Sequence, residues 1–319
     1  MKKKVNILYL DNSFTFGGAI NSLMYMLKAI DRQKFDPILV TGQPEEFLSI
    51  NFSDIKYYKF NPKLPWIHNS LYKRIAEIPV FKIRAAMRVL NLFRFLYWLI
   101  FHTFPEALTY YRIGRRHNVQ LVHLNNMFGG QLAGIIAARM LGVPCIAHLR
   151  DFEKADIVNR FISLFIHHHI AISTAIRDNL MEIGVPESSI SIIYDAIDLD
   201  VFDKAVVTEY LEKEFDLVAG QKIFGVFGRI IHWKGIKEFV LAAEKVFRKV
   251  PDAKAFIVGS ISDGAQRYFD EVKETVRAFN LESRIIFTGF RQDVPAMMKA
   301  MDVIVHSSIS PEPFGMVII

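Results

Sequence analysis

Two cations and a carboxylate in the last third of the sequence have the residue types for phosphate and sugar chemistry. Arg229 and Lys234 lie in GRIIHWKG, residues 228–235, directly after an apolar run that predicts a strand. Cations there can neutralise the charge that grows on a phosphate leaving group, and an arginine can bind phosphate bidentately. Glu312, in SPEPFGMVII at 310–319, can accept hydrogen bonds from sugar hydroxyls, and a helix near Gly315 is predicted beside it. A solvated turn and a helix-capping carboxylate are the alternative interpretations.

Two further positions follow predicted strands and could contact the same kind of ligand. Gly17 and Gly18 come after the first apolar run and open a helical pattern. Glycines let the backbone approach a ligand closely, and a helix N-terminus favours phosphate, although a plain turn is an equal alternative. Arg150, in the run 148–151 after the predicted strand PCIAHL, could line the same cleft or form a structural salt bridge.

No metal centre, cofactor site or nucleophile–base set is predicted. The histidines at 167–169 are adjacent, and neighbouring side chains of a strand point to opposite faces, so they cannot converge on one ion. The single cysteine, Cys145, excludes a disulfide framework and a multi-cysteine zinc site, and it fits a reducing compartment.

Short apolar runs alternate with helical patterns along the chain, which predicts parallel sheets with helices on both faces. The predicted strands are 5–10, 36–42, 54–60, 119–125, 144–149, 168–173 and 188–194, and then 222–228, 252–259, 283–289 and 302–308. The alternation of strands and helices begins again at residue 222. This second series predicts two domains, residues 1–200 and 201–319, with a boundary in the charged stretch 198–220. Ligands of such sheets bind beyond the carboxyl ends of the strands, which is where the candidate residues lie.

The composition fits a folded protein with two cores. Of 319 residues, 51% are hydrophobic and 23% are charged, which excludes a disordered or low-complexity chain. This length exceeds what one core commonly holds. The start, MKKKVNILYL, has a short apolar run broken by Asn6, so it predicts a first strand rather than a secretory signal and hence a cytoplasmic protein.

The positive charge is concentrated in one stretch that also carries many aromatic residues. The net charge is +6, and residues 56–116 hold 12 basic and two acidic residues. Within them, the longest uncharged apolar run of 78–104 is 95–101, too short to cross a bilayer. Basic residues beside aromatic ones predict an interfacial helix on an anionic membrane, with a buried helix that has a solvated basic edge as the alternative. No RNA or DNA motif accompanies the patch, so nucleic acid is not a predicted partner.

Three segments, in this order and spacing, resemble glycosyltransferase family 4. They are AISTAIRDNLMEIGVPESSISIIYDAIDLDVF at 171–202, FGVFGRIIHWKGIKEFVLAAEKV at 224–246 and RIIFTGFRQDVPAMMKAMDVIVHSSISPEPFGMVII at 284–319. The resemblance implies an α/β fold of GT-B architecture, with two Rossmann-like domains facing across a cleft. It also implies enzymes that transfer a sugar with retention of configuration and bind a nucleotide-diphosphate sugar mainly through the C-terminal domain, without a metal.

The resemblance also implies roles for single residues. Arg229 and Lys234, after Gly228, match the pair that holds the diphosphate, and Glu312 matches the first Glu of a Glu–seven residues–Glu motif that contacts the donor sugar. Further donor-binding positions are implied for the phosphate and sugar loops, the nucleobase loop, the glycine loop and the residue after the fifth strand. These are Phe314 and Gly315, Phe290 and Arg291, Gly17 and Gly18, and Arg150.

Three positions depart from the family pattern. Asp195-Ala196 stands where Asn-Gly is frequent, Arg150-Asp151 stands where His-Asp is frequent, and the sequence stops before the second Glu of the motif, so we expect an incomplete second domain.

The resulting hypothesis is a retaining glycosyltransferase that acts on a glycolipid or polysaccharide acceptor in cell-surface glycan synthesis, such as that of lipopolysaccharide. It would lie at the cytoplasmic face of the membrane. A non-catalytic sugar-nucleotide-binding or scaffold fragment, and a GT-B sugar-nucleotide epimerase, are the alternatives.

Overall fold

The computed structural model describes residues 4–13, 17–59, 84–204 and 209–319. The chain divides into two compact units, Met1–Ala196 (unit 1) and Ile197–Ile319 (unit 2). Each unit has a parallel sheet of its own.

Unit 1 is built on seven parallel strands. They are Val5–Asp11 (β1), Phe35–Thr41 (β2), Lys56–Lys59 (β3), Leu121–Asn126 (β4), Cys145–Leu149 (β5), His168–Ala171 (β6) and Ile190–Ile192 (β7). Their order in the sheet is β3-β2-β1-β4-β5-β6-β7, and every neighbouring pair is parallel. The chain adds strands on one side of β1 and then on the other. The carboxyl ends of β1 and β4 therefore flank the point where the strand order reverses, which is where such sheets bind ligands.

The helices among the described residues of unit 1 accompany these strands. They are Gly18–Ala29 (α1), Glu45–Asn51 (α2), Arg84–Trp98 (α3), Phe104–Arg116 (α4), Leu132–Leu141 (α5), Ile157–Ser163 (α6) and Thr174–Ile183 (α7). Local sequence sets their ends. The Ser173 side chain caps α7 by accepting from the Ile176 amide, and α5 and α7 stop at the left-handed glycines Gly142 and Gly184. One core packs Leu23 and Leu27 of α1 against strand residues such as Leu39.

One helical stretch of unit 1 leaves its apolar side chains uncovered. A π-helical turn, Leu99–Thr103, joins α3 to α4. The helix α4 buries residues such as Tyr110 and Ile113, whereas no described side chain between 86 and 103 is buried. Phe93 and Phe101 are 66% and 63% exposed. We call residues 84–103 the basic–aromatic arm; residues 78–83 of the predicted membrane segment lie outside the described part of the chain.

Unit 2 has a smaller parallel sheet. Its strands are Ile223–Phe227 (β8), Lys254–Val258 (β9), Ile285–Gly289 (β10) and Val303–Val305 (β11), in the order β10-β9-β8-β11. Its helices are Leu199–Asp203 (α8), Glu209–Glu214 (α9), Ile236–Lys249 (α10), Gln266–Ala278 (α11) and Val294–Ala300 (α12). The strand β8 is buried along its whole length, and Phe224 on it packs against Phe239 of α10.

The predicted α/β fold with parallel sheets is confirmed, because each strand among the described residues occurs where an apolar run predicted it. The helix predicted near Gly315 is wrong. Residues 316–318 form a turn, in which the Ile318 amide donates to the Gly315 carbonyl at 2.9 Å. Within the described ranges, no helix combines the length and the apolarity that crossing a bilayer requires.

Candidate functional site

In unit 2, the loops after β8 and β11 meet at one edge of the sheet. These strands are parallel neighbours, so their carboxyl ends lie side by side. Ser307 donates its hydroxyl to the Lys234 carbonyl at 2.9 Å, and the Ile309 amide donates to the Trp233 carbonyl at the same distance. Gly235 has φ +65°, and a Cβ there would lie 1.9 Å from the Ser307 carbonyl oxygen. The close approach of the two loops therefore requires a glycine at 235.

This junction brings Lys234 and Glu312 together. Lys234 Nζ lies 2.6 Å from Glu312 Oε1, and the two side chains are 16% and 10% exposed. His306 Nε2 lies 2.8 Å from the same oxygen, to which Ser308 also donates its hydroxyl. Burial acts to raise the pKa of Glu312, but hydrogen bonds from Lys234 and Ser308 and the ammonium charge outweigh it and lower the pKa. The site thus combines an ionised carboxylate with an ammonium group that has three N–H donors.

The other cation of the predicted pair is placed differently. Arg229 is exposed and takes part in none of the ion pairs that the described residues form. Gly228 precedes it with φ +146°, and a Cβ at Gly228 would lie 3.6 Å from Lys234 Cε. The segment 228–234 thus carries one cation already paired with a carboxylate and one cation that faces solvent.

The predicted nucleobase loop contains one exposed and one internally bonded residue. Phe290, directly after β10, is 53% exposed. Arg291 binds Asp293 at 2.7 Å and Glu214 at 2.5 Å, so it ties the end of α9 to the start of α12. The hydrogen bonds that Arg291 donates to Asp293 and Glu214 raise the pKa of Arg291 further. The guanidinium thus has a structural role, and Phe290 presents its ring to solvent.

The predicted phosphate and sugar loop lies next to the carboxylate. Phe314 is half-buried, and Gly315 is buried with φ +86°. A Cβ at Gly315 would lie 3.9 Å from Glu312 Oε2, so this loop follows the carboxylate closely.

In unit 1, the two predicted glycines start α1. Gly17 is the N-terminal capping residue and has extended backbone angles, and Gly18 is the first helical residue. A Cβ at either position would meet no atom within 4 Å, so both glycines adjoin open space. Residues 14–16, between β1 and this helix, lie outside the described ranges.

Arg150 lies in a buried polar network rather than on an open surface. Its side chain is 2% exposed and forms a very short ion pair with Asp195 Oδ1. It also donates to Asn125 Oδ1 at 3.0 Å and to His148 Nδ1 at 3.3 Å. Burial lowers the pKa of Arg150 to about 9, with the charge of Asp11 acting against that shift. Most of its N–H donors are therefore taken by protein acceptors.

The same network reaches the loop after β1. Asp195 Oδ2 accepts from the Ser22 hydroxyl of α1 at 2.9 Å. Asn125 donates to Asp11 Oδ1 at 2.9 Å, and Asp11 Oδ2 accepts from Thr41 at 2.9 Å. Burial raises the pKa of Asp11, and hydrogen bonds such as that from Ser13 partly oppose the shift. The ends of β1, β2, β4 and β5 and Asp195, three residues after β7, are thus joined by polar contacts.

The sequence analysis did not single out His306 or Asp11 as site residues. One pattern could have pointed to them, because each is a polar residue at the end of a strand that the apolar runs predicted. In the described part of the chain, no group of three or more His, Cys, Asp or Glu side chains could hold a metal ion.

Known protein families match residues of both units. The family described as Glycosyltransferase Family 4 matches residues 16–201, and the family described as Glycosyl transferases group 1 matches residues 208–319. The chain belongs to glycosyltransferase family 4. The resemblance predicted from the three segments is therefore confirmed.

Individual relatives share less than a third of the aligned residues with this chain. The chain is 29% identical over 215 residues to 2-deoxystreptamine glucosyltransferase from Streptomyces kanamyceticus, covering 61% of this chain and 54% of the relative. It is 27% identical over 221 residues to the UDP-Gal:α-D-GlcNAc-diphosphoundecaprenol α-1,3-galactosyltransferase of Escherichia coli, covering 64% and 56%. The chain thus spans about half the length of these relatives.

Solved structures agree on the fold. Anabaena Alr3699/HepE, crystallised with UDP and glucose, superposes with a TM-score of 0.75 at 23% identity, over 98% of this chain and 77% of that one. A glycosyltransferase from Rickettsia africae gives 0.74 at 20% identity, over 99% and 76%. At these identities the likeness concerns the fold, and the predicted GT-B class is confirmed.

Proposed function

We propose that this protein transfers a sugar from a nucleotide-diphosphate sugar to a glycolipid or polysaccharide acceptor. The observation that carries the proposal is the Lys234–Glu312 pair at the carboxyl edge of the unit 2 sheet, in a chain of glycosyltransferase family 4. Donor and acceptor are inferred by analogy: one relative is named for UDP-Gal and a diphosphoundecaprenol-linked acceptor, and another for lipopolysaccharide core biosynthesis.

The two cations suit the diphosphate. The Lys234 ammonium has N–H donors beyond the one that Glu312 accepts, and Arg229 is exposed five positions earlier in the same loop. Both can stabilise the charge that develops on the leaving diphosphate. Glu312 accepts hydrogen bonds from hydroxyls of the donor sugar, and Phe290 offers an exposed ring to the nucleobase. We expect no metal requirement, since the cations supply the needed charge.

We further propose that transfer retains the anomeric configuration by a front-face reaction. The bond between the anomeric carbon and the phosphate oxygen breaks, and its electron pair stays on that oxygen. The acceptor oxygen bonds to the carbon on the same face and gives its proton to the leaving phosphate. A double displacement would instead need a carboxylate nucleophile at that carbon.

Calorimetry tests the donor site. UDP-glucose, UDP-N-acetylglucosamine and GDP-mannose are titrated into the wild-type chain and the Lys234→Ala and Arg229→Ala variants. We expect each variant to lose about tenfold or more in affinity for the donor that binds, because each removes a charge-assisted phosphate contact. Lys222→Ala is the matched control, since Lys222 is also ion-paired but lies at the opposite end of β8.

The possible results separate the hypotheses. Unchanged affinity in both variants would overturn the assignment of the diphosphate site. Binding of donor without transfer or hydrolysis would support a non-catalytic binding protein instead. Interconversion of epimeric donors would support an epimerase, whose fold is also similar: UDP-GlcNAc 2-epimerase from Neisseria meningitidis superposes with a TM-score of 0.58.

We also propose that the basic–aromatic arm attaches the protein peripherally to an anionic membrane on the cytoplasmic side. Between 86 and 103 it carries Arg88 and Arg94 and no acidic residue, and Phe93 and Phe101 are largely exposed. A helix with basic groups and exposed aromatic rings binds the headgroup region through charge and apolar insertion together. Such attachment would suit an acceptor that resides in a bilayer.

Vesicle flotation tests the arm. With vesicles containing phosphatidylglycerol, we expect Arg88→Gln/Arg94→Gln to weaken binding by about tenfold or more, since each basic residue contributes about 1 kcal/mol near such a surface. Arg115→Gln/Arg116→Gln, two exposed cations on α4, is the matched control. If the arm variant floats as well as wild type, the arm is not the anchor.

A further inference from the structure

Three contacts hold Glu312 by a single oxygen. Lys234 Nζ at 2.6 Å, His306 Nε2 at 2.8 Å and the Ser308 hydroxyl all reach Oε1. The other oxygen, Oε2, lies on the side of Gly315, where a Cβ would be 3.9 Å away from it. A carboxylate held by one oxygen has its plane and direction fixed, while its second oxygen can still accept hydrogen bonds.

His306 is well placed to fix that direction independently of Lys234. It is the first residue after β11, so the unit 2 sheet sets the position of its backbone. The Glu312 carboxylate is ionised and can only accept, so His306 Nε2 must carry the hydrogen of this bond. The imidazole side chain is 35% exposed, at the rim of the site rather than in the core.

The three side chains that donate to Glu312 differ in their other interactions and in the elements that hold them. Under the proposed function, Lys234 is shared, because the donor diphosphate is a stronger acceptor for an ammonium than one carboxylate. Ser308 is four residues from Glu312 in the same loop, so it moves with the loop that it would have to hold. His306 links the carboxylate to the end of a strand, and the proposed function assigns the diphosphate to Lys234 and Arg229.

We propose that His306 is a positioning residue: it holds Glu312 by Oε1, so that Oε2 faces the donor sugar when Lys234 binds the diphosphate. The inference rests on the proposed function, and it adds a residue that acts on the sugar through Glu312. Loss of His306 should therefore weaken recognition of the sugar and spare recognition of the nucleotide.

Calorimetry on the full chain tests this with two probes for each protein. One probe is the nucleotide sugar that binds wild type, chosen among UDP-glucose, UDP-N-acetylglucosamine and GDP-mannose; the other is the matching free UDP or GDP. We expect His306→Leu to weaken nucleotide-sugar binding about tenfold, the scale of one hydrogen bond to a charged group, and free nucleotide binding by less than about twofold. His306→Gln, which keeps an N–H donor, should restore most of the affinity.

A second background separates positioning from a structural effect. In Glu312→Gln, the His306→Leu change should no longer alter nucleotide-sugar affinity, because the carboxylate that it positions is gone. An equal loss in both backgrounds, or an equal loss for sugar nucleotide and free nucleotide, would overturn the inference. Failure of every probe to bind wild type would instead overturn the proposed function.

Discussion

Each unit has a cation–carboxylate pair of low exposure at the carboxyl edge of its sheet, and the Arg150–Asp195 and Lys234–Glu312 pairs differ in the bonding capacity that the cation retains. In unit 1, Arg150 bonds Asp195, Asn125 and His148, and its side chain is 2% exposed. In unit 2, Lys234 bonds Glu312, lies 4.6 Å from the Trp233 ring centre and is 16% exposed. The residue types are similar, but the surroundings are not.

The two cations differ in whether they can bind a further anion. A buried guanidinium whose acceptors are all protein groups can leave them only at a high desolvation cost, so it holds loops together. An ammonium that bonds one carboxylate and has N–H donors left over can take a second anion without giving up the first. We therefore interpret Arg150–Asp195 as a structural contact and Lys234–Glu312 as a binding contact, although both lie where parallel sheets bind ligands.

The largest expected effect comes from breaking the buried pair. Arg150→Met leaves the Asp195 carboxylate, whose side chain is 8% exposed, without its cation. We expect the free energy of unfolding of unit 1 to fall by about 3–5 kcal/mol, as for other buried pairs that lose one partner. Hydrogen exchange of peptides covering β4 and β5, followed by mass spectrometry, measures this loss for unit 1 alone.

The double variant Arg150→Met/Asp195→Leu sharpens that test. It removes both charges, so it should be less destabilised than Arg150→Met alone. If hydrogen exchange in Arg150→Met matches wild type, the pair does not hold unit 1 together and the contrast with unit 2 fails.

A smaller effect is expected from acid, because the network contains buried neutral histidines. Burial, with the charge of Arg150 adding to it, lowers the pKa of His123 to about 3, and the pKa of His148 is also lowered well below its usual value. Below pH 6.5, the unfolded chain takes up protons at these sites and the folded chain does not. Stability should therefore fall as the pH drops from about 6.5 towards 3.

A ring-preserving variant isolates one of these groups. His123 packs against Tyr9 with ring centres 4.7 Å apart, so His123→Phe keeps an aromatic ring in place. We expect this variant to lose less stability than wild type between pH 7 and pH 4.5 in urea titrations at each pH. Equal losses would show that His123 does not contribute to the acid dependence.

The fold could be predicted from the sequence because its determinants are local. Alternating apolar runs marked every strand, and helices such as α7 begin and end at residues whose capping chemistry is visible in the sequence, here Ser173 and Gly184. The family could be assigned because three ordered segments matched its pattern, and the match to residues 16–201 confirmed it.

The burial and the bonding partners of the site residues could not be predicted, because they depend on contacts between residues distant in sequence. Arg150 is a strand-end cation by sequence, and its burial depends on Asp195, 45 residues away. Glu312 and Lys234 are 78 residues apart, and His306 joins them only because β11 lies beside β8. The helix predicted near Gly315 failed for another reason: a glycine with φ +86° starts a turn there instead.

The smallest expected effect on stability comes from the unit 2 pair, and it tests the comparison from the other side. Lys234→Met leaves Glu312 with its contacts from His306 and Ser308, and the side chain that it replaces is 16% exposed. We expect a loss of about 1.5 kcal/mol, the lower end for one hydrogen bond to a charged group, because two donors to Glu312 remain; hydrogen exchange of β8 and β11 peptides measures it. A loss as large as that of Arg150→Met would mean that Lys234 is also structural, and reduced donor binding in its variants would then report misfolding rather than a lost phosphate contact.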